Sequence, residues 1–278
     1  MPFAVRSALP MSRLQTEPDS PYSIAPMARG IAACARVLPQ LLDAYRSGGG
    51  VEWSDYGRDM MEAQGDANRP WLLNSFGSEY LPAVPDVHER LIADPPARVA
   101  DVACGVGWAA IAIARAYPNT HVDGFDLDPL SIDLARGNAE AAGVADRVTF
   151  KTRDAGHPTD AGRYDLAVMI EALHDVSRPV DVLEAVRGML APGGSAIIAD
   201  EKTADAFTAP ADQNERLFYG YSITCCLPAA MTDGPSAETG TVMRADTLRK
   251  YAEAAGFRKA EVLEDLEHDA FRFYRLTP

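Results

Sequence analysis

The stretch Val99–Trp108, VADVACGVGW, decides the fold. Its first half is apolar enough for a strand, Gly105 and Gly107 then open a loop, and WAAIAIARAY carries helix-forming residues as far as Pro118. A glycine loop between a strand and a helix usually faces a nucleotide-like ligand, because a backbone without Cβ atoms can approach it closely.

From Arg98 onward the chain alternates strand and helix patterns, the mark of a parallel sheet. ARVADVA, HVDGFDLD, RVTFKTRD, YDLAVMIEA and SAIIADE read as five strands. Between them Asp128 suits an N-cap with Pro129 at the first helical position and Gly143 just past the end. RPVDVLEAVRGM is a helix that the Pro192-Gly193-Gly194 turn stops. EVLEDLE and AFRFYRLTP read as a closing antiparallel pair, and 202–244 as a long connection with a helix of its own. Ahead of the first strand, QTEPDSPYS is irregular. Ile31, Cys34, Leu38, Leu41, Leu42 and Tyr45 recur at helical spacing, with Pro39 restarting the helix. WSDYGRDMMEAQ, NRPWLLNSFGSEYL and PDVHERLIADPP are three helical patches separated by turn signals. The expected division is a helical region or cap over 1–95 and a ligand-binding domain over 96–278, with 202–244 inserted on the substrate side.

The formal charge of -14 opposes a polyanion partner, and no Lys/Arg run offsets it. The four cysteines form no CxxC pair, so no metal is expected, and free thiols suit a reducing compartment. No run approaches the ~20 apolar residues of a membrane helix, and the first residues lack a signal-peptide core. The reading is a cytoplasmic protein with neither nucleic acid nor membrane as a partner.

Gly105, Gly107 and Ala110 satisfy G-x-G-x-x-G/A, with Asp126 about 20 residues on, so a nicotinamide dinucleotide is one reading of the loop. Other residues point elsewhere. Asp101 opens a D-x-A-C-G-x-G string, Arg153-Asp154-Ala155 closes the third strand, Glu171-Ala172-Leu173-His174-Asp175 closes the fourth, and Leu190-Ala191-Pro192-Gly193-Gly194 introduces the fifth. In these motifs the chain resembles class I S-adenosylmethionine-dependent methyltransferases, from about Arg98 to its end. ANRPWLLNSFGSEYLPAVPDVHERL resembles the segment before the cofactor domain in actinobacterial-type small-molecule methyltransferases. The resemblance implies a Rossmann-like, doubly wound α/β fold, mostly parallel with an antiparallel C-terminal strand and a small helical N-terminal region. The cofactor implied is S-adenosyl-L-methionine. Asp101, Ala103, Gly105 and Gly107 would hold its methionine end, Asp126 its ribose hydroxyls with Leu127 beside the adenine, Asp154 and Ala155 the adenine itself, and Glu171 the sulfonium side. Ala103 stands where the family often has glycine, a small change unless the position needs a positive φ. Relatives often carry an upstream winged-helix dimerisation module that this chain starts too late to hold in full, so a homodimer stays open.

For the chemistry, His174 is the first candidate base because it follows the fourth strand on the cofactor side, and Glu201 at the end of the fifth is the second. Trp71 and Tyr219 are the candidate aromatic residues of the substrate pocket. His88, His121, His157 and His268 read as ordinary packing or loop histidines. The expected function is methyl transfer to the oxygen or nitrogen of a small molecule. The rivals are a cofactor-binding sensor or scaffold without catalysis, and an NAD(P)-dependent oxidoreductase that would leave Asp154, the EALHD segment and the Pro-Gly-Gly turn unexplained.

Overall fold

The computed structural model describes residues 15–157 and 161–278. The first part of the expected N-terminal arm falls outside these residues, and 15–23 are turns. Among the described residues four helices precede the sheet: α1 (Ala25–Arg36), α2 (Leu38–Ser47), α3 (Trp53–Trp71) and α4 (Pro85–Ile92). α3 passes without interruption into a π-helical segment, Leu72–Tyr80. The sheet elements follow as β1 (Arg98–Val102), α5 (Trp108–Ala116), β2 (His121–Asp126), α6 (Pro129–Ala142), β3 (Val148–Thr152), β4 (Tyr164–Ile170), α7 (Pro179–Met189) and β5 (Leu190–Glu201). The connection after β5 holds α8 (Gln213–Tyr221), a π-helical turn (Ser222–Cys226) and α9 (Leu227–Ala230). α10 (Ala245–Ala254), β6 (Lys259–Val262) and β7 (Phe271–Thr277) close the chain.

The seven strands lie in the order β3-β2-β1-β4-β5-β7-β6. β1 to β5 are parallel, while β7 runs antiparallel to both β5 and β6. The sheet therefore reverses direction of winding between β1 and β4, and a ligand crevice is expected beyond the carboxyl ends of these strands. β4 is buried along most of its length, as its unbroken apolar run requires of a strand covered on both faces. Asp128 caps α6 by accepting from Ser131 N at 2.7 Å, and Gly143 ends it in the left-handed region. The Leu190–Gly194 turn belongs to β5 itself, absorbed by a register shift against β4 near Tyr164.

Two expectations are corrected in the helical region. α3 does not break at Asn68-Arg69-Pro70 but continues through Pro70 into the π-helical segment. On α1 and α2 the buried stripe is Gly30, Ala33, Val37, Leu41 and Ala44, leaving Ile31, Leu38, Leu42 and Tyr45 exposed. At Gly30 the packing of α1 on α3 leaves room for no more than about a methyl group: a Cβ there would lie 3.8 Å from Ala63 and 3.9 Å from Met60. Among the described residues no helix is long and apolar enough to cross a membrane.

Candidate active site

Every strand that ends at the crevice brings a carboxylate or a bend there. Asp101 closes β1, and its Oδ2 accepts from Ala110 N at 2.9 Å, tying the strand to the first turn of α5. The chain then bends through Ala103 (φ 54), Gly105 (φ 51) and Gly107 (φ 85). Ala103 thus occupies the conformation that makes its departure from glycine matter, since the left-handed region costs a residue with a Cβ about 1–2 kcal/mol. Asp126 at the end of β2 accepts from Gly105 N at 2.8 Å through Oδ2 and from Asp128 N at 2.9 Å through Oδ1. It therefore fixes the glycine bend to the second strand. Asp154 accepts from Gly156 N at 2.8 Å and lies 3.0 Å from His157 Nδ1. Glu171 follows β4, also with a positive φ of 50, and takes the amide of Asn68 on α3.

These groups enclose a cavity of about 450 Å³ that Asp101, the 103–107 bend, Asp126, Leu127, Asp154, Ala155 and Glu171 all line. All nine residues expected at the cofactor are thereby brought to one chamber. Burial raises the carboxyl groups of Asp101, Asp126 and Glu171, Asp101 to about 7 with Asp126 adding to the push. A wall so rich in carboxylates suits a cationic nucleoside and repels a pyrophosphate, which tells against a nicotinamide dinucleotide. The two glycines of the bend do different work. A Cβ on Gly105 would meet no protein atom within 4 Å, whereas one on Gly107 would lie 2.6 Å from the Phe150 ring. We expect Gly105→Ala to lose only the ~1–2 kcal/mol of its left-handed φ while weakening ligand binding. Gly107→Ala should unfold at a still lower temperature, overpacking against Phe150 adding about 1–3 kcal/mol to the same strain. Thermal melts and calorimetric titration of the pair check this, and equal melting temperatures would refute it.

Asp101 supplies a pH signature. Its folded value of about 7 stands above its ordinary 3.8, so the fold prefers the neutral acid. Stability is whole below pH 3.8 and is lost as pH rises towards 7, by about 4 kcal/mol at ~1.4 kcal/mol per unit. Asp101→Asn should therefore melt higher than the wild type at pH 8 and no higher at pH 4. A uniform shift at both pH values would contradict the assignment.

A second cavity of about 270 Å³ adjoins the first and shares Trp53, Gln64, Asn68, Glu171 and Asp175 with it. Trp71 lines it, its ring 5.4 Å from Phe271, and its Nε1 donates to Asn68 Oδ1 at 2.9 Å. Tyr219 does not: its hydroxyl accepts from Arg244 at 3.1 Å and its ring meets Phe207. Phe218 and Tyr221, on the neighbouring stripe of α8, line the cavity in its place. His268, read as ordinary, also lines it. His268 Nδ1 accepts from Ala270 N and Phe271 N, both at 3.1 Å, which leaves the proton on Nε2, and burial lowers its pKa. Gln64 and Asn68 escaped the sequence reading. Their signal is two amides at i and i+4 on the α3 face that otherwise carries Trp53, Met60, Met61 and Trp71.

His174 is 1% exposed and lines neither cavity. Its Nδ1 lies 2.9 Å from Asp200 Oδ1 and 3.0 Å from Glu201 Oε2, and its Nε2 lies 3.2 Å from Asp175 Oδ1. Burial opposes its charge, but the three carboxylates outweigh burial and hold its pKa well above the ordinary value. Held as a cation, the ring already carries a proton on each nitrogen, Nδ1 hydrogen-bonded to Asp200 and Nε2 beside Asp175, so it is not poised to accept another. Glu201 lines the second cavity, and burial raises its carboxyl well above the ordinary 4.5.

The profile of a family described as methyltransferase domain matches residues 93–254. The chain is 36% identical to the trans-aconitate 2-methyltransferase of Streptomyces avermitilis over 100 residues, 36% of this chain and 37% of that protein. It is 30% identical to norajmaline N-methyltransferase of Rauvolfia serpentina over 104 residues, 37% and 35% of the two chains. The matches thus span little more than a third of these curated relatives. Among solved structures, PigF with SAH superposes with a TM-score of 0.71 at 19% identity, over 97% of this chain and 78% of that one. The mitomycin 7-O-methyltransferase MmcR gives 0.65 at 19% identity, over 95% and 74%. At such identities the likeness is one of fold.

Proposed function

The chain belongs to the methyltransferase-domain family, and on that premise we propose that it transfers a methyl group from S-adenosylmethionine to the oxygen or nitrogen of a small molecule. The observation that carries this reading is the pair of chambers sharing one wall, the first built of strand-end carboxylates around a glycine bend, the second apolar and aromatic. S-adenosylmethionine, when bound, supplies an electrophilic methyl group on a positively charged sulfur. Asp126 and Asp154 would hold its nucleoside, Asp101 and the 103–107 bend its amino-acid end. Glu171, on the shared wall and anchored by Asn68, would face the sulfonium side. The acceptor would sit against Trp71, with Glu201 as proton acceptor and the His174 imidazolium, 3.0 Å from Glu201 Oε2 and hydrogen-bonded to Asp200, as the charge behind it.

Most of the rate would come from alignment, which contributes up to ~7–11 kcal/mol when two reactants are held in a near-attack pose. A carboxylate whose basicity burial raises, as at Glu201, can add ~10²–10⁴-fold as general base. Cytoplasmic placement is part of the same proposal, supported by Cys34, Cys225 and Cys226, free thiols gathered around one small core. So is a homodimer, supported by the exposed Ile31, Leu38, Leu42 and Tyr45 on α1 and α2 and tested by sedimentation.

Calorimetry with S-adenosylhomocysteine, together with transfer of labelled methyl groups to fractionated cell extract, tests the function. Binding and transfer are expected. Binding without transfer would favour the non-catalytic sensor, and tight binding of NADH alone would overturn the proposal.

A further inference from the structure

We infer that the methyl acceptor is a small amine with an apolar or aromatic body, seated in the smaller chamber with its nitrogen against the carboxylates of Glu171, Asp175 and Glu201. This rests on the functional proposal and narrows it. The chamber wall carries those three carboxylates and, among the described residues, neither lysine nor arginine. Its one histidine, His268, is kept neutral by burial and by the two backbone N–H groups on Nδ1. A cation, His174, stands behind the wall, shared by Asp175, Asp200 and Glu201. Its Nδ1 proton serves Asp200, so Glu201 Oε2 and Asp175 Oδ1 have no hydrogen-bond donor. Burial alone favours the neutral form of Glu171 and Glu201, and an ammonium placed among these acids would supply both the charge and the donors that the wall lacks. Trp53, Trp71 and Tyr221 around them add ring faces of the kind that attract one.

The reaction chemistry agrees. A hydroxyl acceptor becomes more negative as it loses its proton, and these carboxylates would oppose that. An amine binds as a cation and reacts through a neutral lone pair. One N–H proton passes from the ammonium to Glu201. The freed pair forms the new C–N bond as the bond between sulfur and the methyl carbon breaks and its electrons stay on sulfur. The positive charge thereby moves to nitrogen, and Glu201 returns its proton to solvent.

The test is calorimetric titration of the whole chain, saturated with S-adenosylhomocysteine, with three matched pairs: benzylamine and benzyl alcohol, 2-phenylethylamine and 2-phenylethanol, tryptamine and tryptophol. Phenylacetate and Mg²⁺ or Zn²⁺ complete the set. Amines are expected to bind at least tenfold tighter than their alcohols, and Glu201→Gln is expected to shrink that preference to threefold or less. Equal or tighter binding of the alcohols or phenylacetate, or no binding by any amine, overturns the inference. So does stoichiometric uptake of either metal ion, which would supply the missing charge. These results on the unsubstituted protein decide the question even if the Gln variant does not fold. Failure of S-adenosylhomocysteine itself to bind would instead remove the functional proposal, and this inference with it.

Discussion

Replacing His174 with leucine is expected to lower the melting temperature at pH 7 by on the order of 10 °C. The side chain is a buried cation among Asp175, Asp200 and Glu201, and removing one partner of a buried ion cluster typically costs about 3–5 kcal/mol. The loss comes less from the missing contacts than from carboxylates left without a counter-charge. The pH dependence has a definite sign. Because the folded pKa lies well above 6.5, the stability that His174 contributes is whole below pH 6.5 and is lost as pH rises through the folded value. The leucine variant should lack this alkaline decline, so its melting temperature should change less than the wild type's between pH 7 and pH 9. A melting temperature within 2 °C or so of the wild type at pH 7 would mean that the cluster is not ionised as described.

Asp126→Ala should weaken binding of S-adenosylhomocysteine roughly ten- to a hundredfold, the loss of a charged acceptor being worth ~1.5–3 kcal/mol. The substitution also releases the backbone of Gly105 and Asp128, so the bend itself loses its tether. Asp126→Asn, which keeps an acceptor oxygen, should lie between the two. Calorimetry reads both, and unchanged affinity in the alanine variant would show that the end of β2 does not hold the nucleoside.

The part of the site made by strand ends was legible because a parallel strand followed by a helix leaves its next residue at the crevice. Asp126, Asp154 and the glycine bend needed only that rule. His174 was placed correctly in the chain but not chemically. Parallel pairing of Ile170 with Ala199 brings 171–175 alongside Asp200 and Glu201, and a strand-by-strand reading does not bring those acids to the imidazole. Tyr219 was missed by a rotation about α8: both faces of QNERLFYGY carry an aromatic ring, so composition does not say which face turns inward. On α1 and α2 the larger side chains misled, because the inward stripe mixes Gly30, Ala33 and Ala44 with Val37 and Leu41, while Ile31, Leu38, Leu42 and Tyr45 stand exposed. Gln64 and Asn68 lie on a helix more than thirty residues before the glycine bend, and only tertiary packing of α3 on the sheet brings them to Glu171.

The shared wall between the two chambers divides labour along the chain. One side is set by main-chain bends and strand ends that cannot change without disturbing the sheet. The other sets the strand-end acids Glu171 and Glu201 against side chains from α1, α3 and α8, which sit on the sheet without being part of it. Selection can therefore rewrite the helical side, residue by residue, while the strand-end side stays constant. Grafting α3 and α8 from one relative onto the sheet of another should change the size and shape of acceptor admitted, while the donor and the acidic wall stay untouched.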